Sequence, residues 1–156
     1  MKVLLAIDEP TYADAIAEFV VTHKWEPDTE FTVMSVIEPL KVGSMMAVLP
    51  GPMLDEWTEK RQENAQRVVE DFVRDIDRII PKAAIKKHIV EGFATEQILK
   101  EITMSKPDML VVGSHGRHGI DRIILGSVSL FLVSHAPCSV VVIRPTAAEG
   151  EQRKSA

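Results

Sequence analysis

Five short apolar runs, each separated from the next by enough chain for a helix, dictate most of what these 156 residues can become. The first, Lys2–Ile7 (KVLLAI), is apolar at nearly every position and stops at Asp8-Glu9-Pro10. A strand with one wet face would alternate. A run without alternation suits a strand buried on both faces, as in a parallel sheet covered by helices. Phe31–Ile37 (FTVMSVI), Asp108–Gly113 (DMLVVG) and Cys138–Ile143 (CSVVVI) read the same way. Ala84–Val90 (AIKKHIV) is weaker, and its Lys86, Lys87 and His88 are the kind of charge that blunts an exposed sheet edge.

Helical stripes fill the gaps. Pro10 suits a first helical turn, where its missing N–H has no partner to lose. From there Ala13, Ile16, Ala17, Val20 and Val21 recur at helical spacing, and Trp25 extends the stripe toward Glu26-Pro27. The clearest amphipathic segment carries Ala65, Val68, Val69, Phe72, Val73, Ile76 and Ile79 on one face and ends before Pro81. Shorter helices are predicted after Gly92, with Ile98, Leu99 and Ile102 inward and an end before Pro107, and from about Gly126 to His135. Leu40–Met53 reads as a long loop with Met45, Met46 and Met53 interleaved among Gly and Pro. Loops beyond about 12–15 residues are uncommon unless functional or disordered. Two readings stay open for it: a mobile lid or adaptable partner surface, or methionines tucked onto neighbouring helices. Alternating strands and helices predict one doubly wound α/β domain over residues 1–145, a parallel sheet with helices on both faces, and a flexible polar tail over 146–156.

Charge and cysteine usage narrow the function classes. Eighteen Lys plus Arg against 23 Asp plus Glu leave −5, which argues against non-specific nucleic-acid binding. A single cysteine, Cys138, excludes an intrachain disulfide and a cysteine-rich metal module, and at the start of an apolar strand it reads as a buried structural thiol. No apolar run approaches the roughly 18 residues needed to cross a bilayer, and the apolar start is too short for a signal segment. A cytoplasmic protein without membrane contact is expected.

In open parallel sheets, ligands bind beyond the carboxyl ends of the strands, where strand order reverses. Asp8 follows the first strand and Gly113 the fourth. Four of the eight glycines, Gly113, Gly116, Gly119 and Gly126, fall within 14 residues. Glycine lets main-chain N–H groups approach an anion, and successive N–H groups form a concave nest. Gly126-Ser127 opens the next helix, whose free N–H groups and dipole favour negative charge. Ser127 and Ser129 add hydroxyls, and Arg117 and Arg122 make the stretch locally basic. These parts suit a polyphosphate. The plainer alternative is glycines that only shape a strand-to-helix loop.

The spacing Gly113-x2-Gly116-x9-Gly126-Ser127 resembles the phosphate-binding signature of the universal stress protein family, in its ATP-binding branch. KVLLAID, Val36-Ile37-Glu38-Pro39, DMLVVGSHGR, GSVS and HAPCSVVVIRP extend the resemblance over about residues 2–145. It implies the adenine nucleotide alpha hydrolase-like fold, a five-stranded sheet in the order 3-2-1-4-5 with its switch point between strands one and four. It further implies an adenosine pocket lined by Ala6, Ile7, Asp8 and Val36, with the Val36 backbone meeting adenine. The phosphate side is then lined by Gly113, Ser114, His115, Gly116, Arg117, Gly126, Ser127, Val128 and Ser129. The implied cofactor is ATP, with Mg2+ carried through the phosphates. Pro10 stands where the family often has Ser, and Ser35 where it commonly has His; both departures fall at the adenosine end. Under that order strand five is an edge, and Val140–Ile143 carries no blunting charge. A homodimer through 138–143 is therefore expected, as the resemblance also implies.

Other readings of the same residues are weaker. Asp8 could be a structural N-cap. Asp8-Glu9 resembles the acidic pair of a phospho-accepting receiver domain, but that fold needs an Asp after strand three and a Lys after strand five, where this chain has Gly92 and Arg144. His115 and His118 lack a third ligand, so no protein-held metal is expected. Ser127 has no paired base and no Gly-x-Ser-x-Gly elbow, and no Walker lysine motif is present, so no catalytic residue is assigned. The expected function is a nucleotide-responsive regulator in stress response rather than a fast enzyme. Two alternatives stand beside it: a slow ATPase or autophosphorylating enzyme with Ser127 or Ser129 as acceptor, and a dimeric interaction module that binds no nucleotide. The downstream protein partner is not readable from the chain.

Overall fold

A strand with no polar face must lie inside a sheet, and the first strand does. In the computed structural model, which describes residues 1–8, 10–39, 51–80, 83–114 and 125–145, β1 (Lys2–Ala6) is central. It lies between β2 (Glu30–Ile37) and β4 (Met109–Gly113), with β3 (Ala84–Glu91) and β5 (Ser139–Ile143) at the edges. All four pairings are parallel, and the order is β3-β2-β1-β4-β5. Helices α1 (Pro10–Thr22), α2 (Gly51–Ile79), α3 (Ala94–Ser105) and α4 (Ser127–His135) connect successive strands. From β1 the chain winds outward through β2 to β3, then returns to the other side for β4 and β5. That reversal opens a crevice above the carboxyl ends of β1 and β4.

Successive strand residues face opposite sides, so two apolar layers form. Val3, Leu5, Phe31, Val33 and Val111 pack with Ile16 and Val20 of α1 and Val69, Phe72 and Ile76 of α2. Leu4, Met34, Val36, Leu110 and Val112 pack with Ile98 and Ile102 of α3 and Leu132 of α4. Each such side chain contributes about 1.5–3 kcal/mol by leaving water. The strand ends that rim the crevice are anchored by both layers.

Three local readings need correction. α1 stops at Thr22, so Trp25 does not extend the helix. The indole folds back, donating Nε1–H to the Val20 carbonyl at 2.6 Å and meeting Phe31 edge-on. Pro27 disfavours helix at the residue before it, and the indole takes a carbonyl that the helix end leaves open. α2 begins at Gly51, so Gly51, Pro52 and Met53 are its first turn and not loop. Proline fits there for the reason it fits at Pro10. Met53 is 54% exposed, not tucked away; Met45 and Met46 lie outside the described residues, as does the 146–156 tail. Cys138 precedes β5 and is only partly buried, though burial still pushes its thiol pKa up. Among the described residues no helix is long and apolar enough to cross a membrane.

Candidate functional site

The crest of the sheet is assembled by main-chain pairing. Ala6 pairs with Met34 on one side and Val112 on the other. The Ile7 N–H then donates to the Met34 carbonyl at 2.9 Å, carrying the pairing past the strand and delivering Asp8 to the rim. Two residues beyond Val112, Ser114 reaches the same rim and is buried. Its N–H donates to the Ile143 carbonyl, and its carbonyl accepts from the Gly126 N–H, each at 2.7 Å. Ser114 thus ties β4, β5 and the start of α4 together. Between these anchors, His115, Gly116 and Arg117 lie outside the described residues, as do His118, Gly119 and Arg122.

α4 starts at a glycine. Gly126 is its N-cap and makes no side-chain cap hydrogen bond. The first turn's N–H groups lack intrahelical acceptors by the geometry of any helix start. The first bond inside the helix runs from the Leu130 N–H to the Gly126 carbonyl at 2.9 Å. Ser127 is exposed beside this opening, and Val128 is half-buried. Ser129 differs: it is 4% exposed, and its hydroxyl donates to the Gly113 carbonyl at 2.6 Å. It fastens α4 to the end of β4.

Gly113 has a duty that spacing alone does not reveal. A Cβ there would lie 2.8 Å from Tyr12 Cδ1 and 3.0 Å from Tyr12 Cβ. The glycine admits the first turn of α1 against β4.

The structure brings Ala6, Val36 and Val128 into one apolar floor: Val36 is buried, and Ala6, Val128 and Ala94 pack against the same cluster. Ile7 departs from the expected lining, because its side chain is buried in the opposite layer and only its main chain reaches the crest. Sequence reasoning missed Glu38 and the start of α3. The Glu38 carboxylate accepts the Ala94 N–H at 3.2 Å, while the Glu38 carbonyl accepts from Arg61 of α2. Arg61 in turn lies over the Trp57 ring, 4.7 Å from its centroid. Glu38 therefore bridges the two helical layers across the end of β2. The sequence signals the need for a cap at α3, though not which residue supplies it. Phe93 precedes α3 and has no side-chain oxygen to cap it, so a cap had to come from elsewhere.

A hollow of about 350 Å³ lies at the opposite, amino-terminal end of the strands, lined in part by Lys2, Thr32, Lys86, His88 and Glu101. Within it the Lys86 ammonium lies 3.3 Å from the Glu30 carboxylate and His88 Nδ1 lies 3.0 Å from Glu101 Oε2. They brace β3 against β2 and α3 and do not converge on a ligand position. Among the described residues no three His, Cys, Asp or Glu side chains group as metal ligands.

Comparisons with known proteins agree with this architecture. Residues 1–144 match the model of a family described as the universal stress protein family. A universal stress protein A-like protein of Arabidopsis thaliana is 32% identical over 98 residues, 61% of this chain and 55% of that protein, so the match spans only about half of that relative. Universal stress protein MJ0531 of Methanocaldococcus jannaschii is 27% identical over 145 residues, covering 92% of this chain and 81% of the relative. Among solved structures, the hypothetical protein MJ0577 superposes with a TM-score of 0.75 at 23% identity, covering 93% of this chain and 96% of the other. A universal stress protein family protein from Arabidopsis thaliana with AMP bound gives 0.67 at 22% identity, covering 96% and 94%. At such identities these structures establish the fold.

Proposed function

Because the chain belongs to the universal stress protein family, we propose that its crest binds an adenine nucleotide, ATP with Mg2+ held through the phosphates, and that the bound state is a regulatory signal. The observation that carries this reading is the start of α4. Gly126 as N-cap has no side chain to occupy the first turn's N–H groups, which any helix start leaves without intrahelical acceptors. An exposed Ser127 stands beside it, with Asp8 across the rim. Preorganised N–H groups and a helix dipole are a ready site for phosphate oxygens. In this reading His115, Gly116 and Arg117 complete the phosphate side, and Ala6, Asp8 and Val36 hold the adenosine. The AMP bound to the Arabidopsis structure supports the ligand class.

A regulator fits better than a fast enzyme. Ser129 is buried with its hydroxyl turned to a carbonyl, and amides that grip phosphates need not activate a water. A homodimer through β5 belongs to the same proposal. The half-exposed edge Val140–Ile143 supports it, together with Leu130, Phe131 and Val133 on α4, at 53%, 36% and 47% exposure. The family and the lone cysteine also favour a cytoplasmic setting.

Purified protein is heat-denatured, and the supernatant is examined for adenine nucleotide by absorbance and mass. The emptied, refolded protein is then titrated calorimetrically with ATP and Mg2+. Stoichiometric binding that Gly126→Val abolishes is the expected result. No released nucleotide and no heat with ATP would overturn the reading. In light scattering, Val141→Asp should convert a dimer to a monomer, and an unchanged mass would remove β5 from the interface.

A further inference from the structure

We propose that Phe93 is the base-stacking residue of the crest, closing the adenosine end with its ring face. The inference rests on the nucleotide reading above and adds a residue that neither the glycine motif nor the strand ends contain. Phe93 is held in place from both sides. The Gly92 N–H donates to the Ile37 carbonyl at 3.1 Å, and the Ala94 N–H donates to the Glu38 carboxylate at 3.2 Å. Both acceptors are at the carboxyl end of β2, one and two residues beyond Val36. Ala94 itself packs into the apolar cluster that contains Val36 and borders Val128.

The residue type is the anomaly. Phe93 is the N-cap of α3, a position that favours Ser, Thr, Asp or Asn because a short side-chain oxygen can reach the first-turn N–H groups. A phenyl ring cannot, and Glu38 supplies the acceptor from another strand. The ring gains little from folding, since Phe93 is 53% exposed. The turn before it is also constrained: Gly92 has φ 141°, and a Cβ there would lie 2.5 Å from Gln97 Nε2. A capping oxygen has been given up, and a rigid turn holds an apolar ring in water at the carboxyl end of the sheet, beside the end of β2. An aromatic face in that place suits a flat apolar partner laid face against face, which is the shape of a purine. The strands also set the span. The β4 end beside the α4 amides and the β2 end below Phe93 are two strand spacings apart, about 10 Å, a reach that lets one nucleotide touch both.

Phe93→Ala, Phe93→Trp and the wild type are titrated with ATP, with AMP and with inorganic tripolyphosphate. Because the ring is half in solvent, neither variant should fail to fold, which circular dichroism checks. Loss of stacking should weaken ATP and AMP roughly fivefold to thirtyfold in Phe93→Ala and leave tripolyphosphate affinity within twofold. Phe93→Trp should keep wild-type affinity and show quenching on ATP saturation beyond the wild-type signal of Trp25 and Trp57. Wild-type ATP binding with Phe93→Ala unchanged would overturn this proposal and leave the nucleotide reading standing. Equal weakening of tripolyphosphate would overturn it too, since the ring would then act through the fold. A wild type that binds neither ATP nor AMP overturns both.

Discussion

Replacing Gly113 by alanine separates two explanations of the first glycine in the motif. If that glycine exists to let phosphate approach, the variant should fold normally and lose nucleotide. The contacts at this position predict the reverse order of damage. A Cβ would sit 2.8, 2.9 and 3.0 Å from Cδ1, Cγ and Cβ of Tyr12, closer than real carbons pack, and the last of these is fixed to the α1 backbone. Relief requires α1 to move away from β4. Overpacking of this kind costs about 1–3 kcal/mol. Loss of glycine's freedom in the unfolded chain returns about 0.4–1 kcal/mol. The net loss centres on about 1.3 kcal/mol, and at roughly 2–4 °C per kcal/mol for a chain of this size the melting point falls by about 3–5 °C. Urea unfolding of wild type, Gly113→Ala, Tyr12→Ala and the double variant reads it directly, with equal slopes required for comparison. Tyr12→Ala removes the two nearest ring atoms and keeps Cβ, so the double variant should recover about 1 kcal/mol beyond additivity and regain nucleotide affinity. Additivity within about 0.5 kcal/mol refutes the packing argument. So does a double variant that is stable yet blind to ATP.

Three further outcomes follow from particular contacts. Glu38→Ala removes the acceptor for the Ala94 N–H and should cost about 1 kcal/mol of unfolding free energy, with Glu38→Gln, which keeps a carbonyl oxygen, recovering most of it; equal losses in both would mean the charge matters and not the cap. If the protein transfers phosphate to itself, exposed Ser127 should take the label and buried Ser129 should not, so Ser127→Ala abolishes it and Ser129→Ala does not; the opposite pattern on phosphopeptide mass spectrometry would refute the assignment. Burial raises the Cys138 thiol pKa, so less thiolate is present at pH 8 than in a free peptide, and maleimide labelling should be slower there and climb as pH rises further. Labelling as fast as a cysteine peptide at pH 8 would contradict it.

The central strands were legible because burial on both faces leaves a signature in the chain itself: no position in Leu4-Leu5 or Leu110-Val111-Val112 can be polar, and all are buried. Helix ends were less legible, because they depend on partners distant in sequence. Trp25 continues the apolar period of α1 yet caps a carbonyl from outside the helix. Gly51-Pro52 looks like loop composition, but both residues are compatible with a first turn, and they open a 29-residue amphipathic helix. Within the site, Asp8, Ser114 and Gly126 could be read from their positions after strands and before a helix. Glu38 could not, since its two partners, Arg61 and Ala94, are 23 and 56 residues away. The packing duty of Gly113 was hidden for the same reason: Tyr12 meets it only once α1 lies on β4.

The starts of α3 and α4 differ in a way that would orient a nucleotide at the crest. α3 and α4 begin at the same edge of the sheet and lie on the same face, and both present a positive dipole end there. Their caps differ. At α3 the chain supplies its own anion, the Glu38 carboxylate, and places an aromatic ring beside it. At α4 the cap residue is a glycine, with no side chain of its own to accept. A phosphate brought to α3 would meet a carboxylate already holding the N–H it needs and would be repelled by it. At α4 the cap residue brings no carboxylate of its own. An unsymmetrical ligand with an anionic end and a flat apolar end therefore has one favourable direction across the crest, phosphates toward α4 and base toward α3. The charge-reversing variant Glu38→Lys tests that direction: by freeing the Ala94 N–H and replacing the repelling carboxylate with a cation, it should let a second tripolyphosphate bind at α3, and an unchanged stoichiometry would show that Glu38 does not set the direction.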